Sequence, residues 1–434
     1  REAAWLVSLL PPEGWQTVTV QPNNGTGYIN FTNQIVSCTG VPKTITVCAS
    51  GCNCTSIQAD INAACPGDAI EVQSGTYHEN VNVNKHLTLQ GVSASVVDAG
   101  GSGDAITLSA NGCTLQDLVA MNSSFVQSGI EYISYNIICG NTATGNSWGI
   151  YIDNNTANAD GNTITGNTAN GNVYGIYLEN STGNNIYSNT ANSNNVGIYL
   201  SSSTGNTITG NIANGSDTGI SISDSSGNTI SNNTANSNGI GIQLPSSSGN
   251  TISGNTATNN IHYGIALTSS SGNTISGNTI NGNSRGIYII TTSNSNSISN
   301  NTATSNGIGI DLSSSTGNTI SGNTIGSNKE HGIRLESSSS STLSGNIANF
   351  NAKYGIQLKY SNGNTISSNT ASGNSLYGIY LDSSSSNIIY LNTFDNTNNG
   401  WSNVANHWNA TESQSYEQGG QNLTGLLIAL DEVA

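Results

Sequence analysis

The chain has 434 residues, of which 34% are hydrophobic and only 7% charged, with a formal net charge of −16. That balance lacks the clustered basic face that nucleic-acid binding requires, and no stretch approaches the roughly 20 apolar residues of a membrane span. Low apolar content would suit a disordered chain, but this sequence is periodic and disorder is not.

In chain order, residues 1–54 read as an arm. The first residue is Arg1 rather than Met, so the expectation is a secreted, extracellular or cell-surface protein whose leader has been removed. Trp5, Val7, Leu9, Leu10 and Trp15 are apolar, and Thr17 to Val20 alternate as a strand does. An apolar arm with strand potential and cysteines is expected to connect copies of the chain, making self-association the expected partnership. The alternative is that it folds back along its own flank.

All seven cysteines, Cys38, Cys48, Cys52, Cys54, Cys65, Cys113 and Cys139, precede residue 140. Their confinement to the irregular third of the chain makes each a disulfide candidate, pinning segments that no repeat holds. An odd total leaves one thiol free or bonded to another chain. Cys48, Cys52, Cys54 and Cys65 with His78 match no standard zinc spacing, so no metal and no other cofactor is expected.

Residues 55–140 begin with a helix signal. Thr55-Ser56 can cap a short helix in which Ile57, Ile61 and Ala64 share a face, and Pro66-Gly67 stops it. Such a helix would plug the open end of a stack and cover its sheet edge. Short apolar runs follow at Ala69–Val72, Val81–Val83, Leu87–Leu89, Val96-Val97 and Ile106–Leu108.

Residues 141–399 are an array. A Gly-Ile pair recurs with isoleucines at 150, 176, 198, 220, 242, 265, 287, 310, 333, 356 and 379, and after the first step the spacing is 22 or 23. A second column runs from Ile164 through Ile186, Ile208 and Ile230 to Leu343, Ile366 and Ile388. Asn follows three residues later, from Asn167 to Asn369, until Leu391 breaks the run, and Ala or Ile two residues beyond that. Each repeat therefore reads as three short strands, Gly-Ile-x-Leu, Asn-Thr-Ile-Ser and Asn-Thr-Ala. Identical triplets pile into an all-β parallel β-helix, a solenoid whose coils hydrogen-bond at about 4.8 Å, so eleven coils make about 50 Å of rod. Asn ladders suit the corners, because Asn tolerates the left-handed region and its amide can bond the same amide one coil on. The Gly before each Ile is expected to mark a bend, a positive φ or a place where a Cβ would clash with the next coil. Residues 400–434 remain as a C-terminal cap or tail.

The opening Ser56-Ile57-Gln58-Ala59-Asp60-Ile61-Asn62-Ala63-Ala64, then Pro66-Gly67-Asp68-Ala69-Ile70, Gly75-Thr76-Tyr77-His78-Glu79-Asn80-Val81 and Leu87-Thr88-Leu89-Gln90-Gly91, resembles NosD-like right-handed parallel β-helix proteins. The Gly-Asn-Thr-Ile-Ser-Gly-Asn-Thr repeats are similar too, and the resemblance covers roughly residues 55–410. It implies a right-handed helix and a secreted or cell-surface protein of the Asn-rich kind that methanogenic archaea use in external sheaths.

The same scaffold hosts polysaccharide lyases and hydrolases, and fold alone does not decide between roles. Glycoside hydrolysis needs two facing carboxylates, and no strand here carries two inward-set acids; a lyase needs a cationic base, and the solenoid arginines Arg285 and Arg334 occupy different columns. No catalytic residue is therefore expected. Asp153 with Glu179 is the best remaining pair, while Glu336, Lys359 and Asp382 read as an alternating-charge ladder and Asp311 faces Arg334, as cross-strand braces. Aromatic columns at Tyr151, Tyr177 and Tyr199, and at Trp148, Tyr174, Tyr263, Tyr354 and Tyr377, would shield the sheet, stack on sugar rings or pack against a second copy. Sequons at Asn24, Asn30, Asn122, Asn180, Asn214 and Asn422 mark glycosylation candidates. The expected function is a self-assembling, disulfide-stabilised structural protein of an envelope or sheath; the alternative is a polysaccharide-binding or polysaccharide-cleaving surface protein.

Overall fold

The computed structural model describes residues 38, 40–50, 54–152, 160–409, 415–418 and 421–424. The apolar positions of the arm, Cys52, Asp153, Asn24 and Asn30 lie outside the described residues, as does the side chain of Asn422.

The described residues form a parallel β-solenoid of about 15 turns, with a single helix among them, near the N-terminal end. The Gly-Ile segments form one parallel sheet, in which Ile220 pairs with Ile242 and Ile242 with Ile265, as the period requires. The Thr-Ile segments form a second sheet, with Ile208, Ile230 and Ile252 in register. The Asn-Thr-Ala segments pair as a third, from Thr279–Asn281 to Thr393–Asp395, and as isolated bridges in earlier coils. The isoleucines of the first two columns, from Ile150 to Ile379 and from Ile164 to Ile366, are fully buried, each worth about 1.5–3 kcal/mol relative to exposure. They make one continuous core between the sheets.

One column slips at its end. Ile366 pairs with Ile389 rather than Ile388, which stays exposed. With that shift Asn392 falls in line, accepting from the N–H of Asn369 at 2.9 Å, so Leu391 does not break the ladder. Instead Leu391 takes the positive-φ position that precedes each ladder Asn, as Gly210, Asn232 and Gly254 do in earlier coils. The left-handed residue is thus the neighbour of the ladder Asn, not the Asn itself.

The ladder amides are fully employed. Asn211 donates Nδ2–H to the Oδ1 of Asn233 at 3.0 Å and to the Ile186 carbonyl at 2.9 Å, while its own Oδ1 accepts from Asn189. Equivalent ladders run through Asn184, Asn206 and Asn228 and through Asn260, Asn283 and Asn306. A serine ladder, Ser203 to Ser225 to Ser247, turns a further corner. Buried amides stacked this way avoid the roughly 1–3 kcal/mol cost of an unpaired polar group.

The Gly-Ile glycines have ordinary negative φ. Their reason is steric: a Cβ on Gly241 would lie 2.5 Å from the Gly264 carbonyl oxygen in the next coil.

At the N-terminal end the helix spans Ile57–Ala63, and Ser56 Oγ caps it by accepting from the Ala59 N–H. Glu79 accepts from the N–H groups of Ile57 and Gln58 at 2.7 and 3.1 Å, and Lys85 Nζ donates to the carbonyls of Ile61, Asn62 and Ala64 at 2.8–3.0 Å. Opposite charges thus hold opposite ends of the helix dipole. Ile57, Ile61 and Ala64 are buried against the first coils. Thr44–Val47, within the segment read as an arm, is the first strand among the described residues and pairs with Ala69–Val72. At the other end Ser415–Gln418 continues the Gly-Ile sheet and turns back antiparallel onto Gln421–Thr424.

Candidate functional site

The outward face of the Gly-Ile sheet collects the aromatic and charged side chains. Strand alternation sends the residue after each Ile outward, and the residue before each Gly joins it. Trp148, Tyr151, Tyr174, Tyr177 and Tyr199 form one continuous strip over three coils, with ring centroids 4.4 Å apart for Trp148 and Tyr151 and 5.0–5.3 Å between the tyrosines. Tyr151 is buried and the other four are partly exposed. Glu179 accepts the Tyr151 hydroxyl at 2.7 Å. Burial, then the Glu179 charge, pushes the Tyr177 phenol up, so it stays neutral.

A second strip comprises Tyr354, Tyr377, Tyr380 and Trp401, with Tyr380 stacked on Tyr354 at 4.5 Å and on Trp401 at 4.4 Å. The structure adds Tyr288, Tyr380 and Trp401 to the aromatic side chains of this face. Tyr288 and Tyr380 fall in the same column as Tyr151, so the period contained them, whereas Trp401 sits in the final coil where the motif has changed to Gly-Trp.

Between the strips lies a charged cluster. Arg334 grips Asp311 in a bidentate pair at 2.8 Å, and Arg285 reaches the same carboxylate at 2.7 Å across a coil boundary. The two arginines do occupy different columns, yet they share one acid: Arg334 is in register with Asp311, and Arg285 reaches it on the diagonal between adjacent coils. Arg285 also stands over the Tyr288 ring at 4.2 Å. Burial raises the fully covered Asp311 carboxyl above its ordinary range, while both guanidiniums pull the other way. Glu336, Lys359 and Asp382 are in register as read from the sequence, with Lys359 and Glu336 3.8 Å apart. His331 is buried, stacked on Tyr354, and its Nδ1 has no partner. Burial lowers its pKa to about 4, so the imidazole is neutral. The cluster is self-neutralising: its chemistry is to brace three coils.

Of the cysteine candidates, Cys38 and Cys65 form a disulfide, and Cys48 is disulfide-bonded as well. Cys54, Cys113 and Cys139 are thiols. Cys113 and Cys139 lie in neighbouring coils but not in one column, since Cys139 pairs with Gln116. Cys113 is buried with its thiol directed to the Lys85 and Ala110 carbonyls. Burial pushes Cys113 and Cys139 up, and a bond to Asp60 does the same for Cys54, so all three resist ionisation. Among the sequons, Asn122 Nδ2 donates to Asp98 and Asn214 Oδ1 accepts from the Asn236 N–H, while Asn180 is exposed.

The family model described as periplasmic copper-binding protein (NosD) matches residues 69–198 and 261–425. The chain belongs to the NosD family. A right-handed β-helix model matches residues 149–303 of the same chain. Similar solved structures include the periplasmic alginate epimerase AlgG, at 18% identity over 81% of this chain and 76% of that one with a TM-score of 0.38. The A-module of the Azotobacter vinelandii mannuronan C-5 epimerase AlgE6 shows 17% identity over 84% and 93%, with a TM-score of 0.36. A mannuronic-acid-specific polysaccharide family 6 lyase from human gut microbiota shows 13% identity over 74% and 87%, with a TM-score of 0.42. These likenesses concern the β-helix alone. No curated protein matches the chain.

The family description raises copper, which takes thiolate, thioether or imidazole ligands. Among the described residues no three His, Cys, Asp or Glu side chains converge as a ligand set. Cys65 is spent in its disulfide, and His78 Nδ1 lies against Asp98 at 3.5 Å. The described residues do not fit a copper site in this NosD-family chain. Nor is any helix among them long and apolar enough to cross a membrane.

Proposed function

We propose that this protein is a secreted polysaccharide-binding β-helix that holds a glycan along the outward face of its Gly-Ile sheet. The observation that carries this reading is the strip of Trp148, Tyr174, Tyr177 and Tyr199, partly exposed and in mutual contact over adjacent coils. Apolar faces of sugar rings stack on such aromatic surfaces, and a rod that repeats every 4.8 Å or so presents them in a line. The Cys38–Cys65 disulfide suits an oxidising compartment, in keeping with the periplasmic setting in the family description. Titration calorimetry with a panel of neutral and acidic oligosaccharides tests it: the wild-type chain binds at least one, and Tyr177→Ala with Tyr199→Ala abolishes that binding while the β signal in circular dichroism persists. A panel with no ligand at all ends this reading.

A structural role in an envelope is the second reading, favoured by the near-uniform Asn and Ser ladders, which make a stiff rod of low charge. Sedimentation with and without thiol reductant tests it, since a sheath element is expected as a large assembly that reductant disperses.

A further inference from the structure

The first aromatic strip lies in a part of the chain with an extreme charge bias. Between Lys85 and Arg285 the sequence contains no lysine and no arginine. The strip carries acids instead: Glu131 is the strand partner of Tyr151 one coil earlier, and Glu179 binds the Tyr151 hydroxyl. A glycan stacked on these rings would lie within a few ångströms of both carboxylates.

We infer that the glycan taken by this strip is neutral, a chain of uncharged sugar units, and that polyuronates are refused. The inference rests on the polysaccharide-binding reading and specifies its ligand class. A uronate chain would set repeated carboxylates against Glu131 and Glu179 with no cation to pair them, and like charges at contact distance repel strongly where the dielectric is lowered by neighbouring rings. The net charge of −16 extends the repulsion to the approaching polymer. The cations farther along the chain offer little relief: Lys329 is exposed but stands several coils from the strip, and the others are paired. Arg285 and Arg334 are committed to Asp311, Lys353 to Glu330 at 2.9 Å, and Lys359 to Glu336 at 3.8 Å. Neutral sugars meet none of these costs, and their hydroxyls can donate to Glu179 and to the Asn and Ser side chains that border the strip.

The test uses the full chain in titration calorimetry, with cellohexaose, xylohexaose, mannohexaose and chitohexaose against hexamers of mannuronate and galacturonate, at low and physiological salt. At least one neutral hexamer is expected to bind, with both uronate hexamers at least about tenfold weaker, about 1.4 kcal/mol, and the gap is expected to narrow as salt screens the acids. Glu179→Gln combined with Ser201→Lys, on the strand partner of Glu179, is expected to raise uronate affinity at least about tenfold. Uronate binding equal to or tighter than neutral binding overturns the inference and leaves polysaccharide binding intact. Unchanged uronate affinity in the charge variant also overturns it, because charge would not be the selector. If no hexamer of either kind binds, the polysaccharide-binding reading itself fails and takes the inference with it.

Discussion

The first coils and the regular array solve one problem by opposite means. Around residues 55–98 each stabilising contact occurs once: Glu79 on the helix start, Lys85 on its end, Asp68 on the N–H groups of Lys43 and Cys65, and the Cys38–Cys65 bond. From Trp148 onward the core isoleucines and the ladder amides recur from coil to coil, and the singular contacts, such as the Arg285–Asp311–Arg334 cluster, sit on the outward face. Singular contacts make an end that must be completed correctly, whereas repeated contacts make a middle in which a fault is shared with the coils above and below.

The largest expected break in that contrast is Ile242→Asp. An unpaired carboxylate between Ile220 and Ile265 in a dry core is expected to cost about 4 kcal/mol or more and to unravel several coils, read as loss of the urea transition and of β signal. Gly241→Ala follows, because its Cβ would meet the Gly264 carbonyl oxygen at 2.5 Å; about 2–3 kcal/mol of destabilisation is expected. Gly249→Ala, with φ +68° and open space around it, is the control and should cost about 1 kcal/mol.

Acid separates the two regions by window. Burial holds His331 near 4 when folded, against 6.5 ordinarily. A depressed histidine contributes stability above its unfolded value, so the array is expected to lose on the order of 2 kcal/mol as pH falls from about 6.5 towards 4, and His331→Phe should flatten that step. Burial tends to raise the Asp68 carboxyl, but the N–H groups of Lys43 and Cys65 outweigh it and hold the group below its ordinary range. Its stabilisation is present above the ordinary carboxylate value and is lost as pH falls through the lower folded one, so the N-terminal end should yield last, an effect that Asp68→Asn removes. Hydrogen exchange resolved along the chain reads both windows. The smallest expected effect is Glu79→Gln, about 1 kcal/mol, confined to exchange in Ile57–Ala63.

The regular coils were legible because period and burial coincide: Ile220, Ile242 and Ile265 are stacked where spacing alone places them. Sequence and structure part where neighbouring residues are alike. Ile388 and Ile389 are adjacent isoleucines, and a shift of one exchanges core for solvent; only the burial of Ile389 decides. The left-handed corner falls one residue before the ladder Asn, at positions where Ser, Gly and Asn alternate and no single residue type marks the column. Columns show Asp311 facing Arg334 but not the contact with Arg285, which is diagonal, three residues aside and one coil away. The strand Thr44–Val47 is not legible within the arm because it precedes the array and shares none of its period.

The amide ladders have one more consequence. Each rung offers the coil above the same donor and acceptor that it receives from the coil below, as Asn211 does between Asn189 and Asn233. Duplicating or deleting a 22-residue unit therefore creates no new junction. Rod length becomes an inheritable count that recombination within the gene can change in whole steps, and the distance between the two aromatic strips changes with it like marks on a ruler.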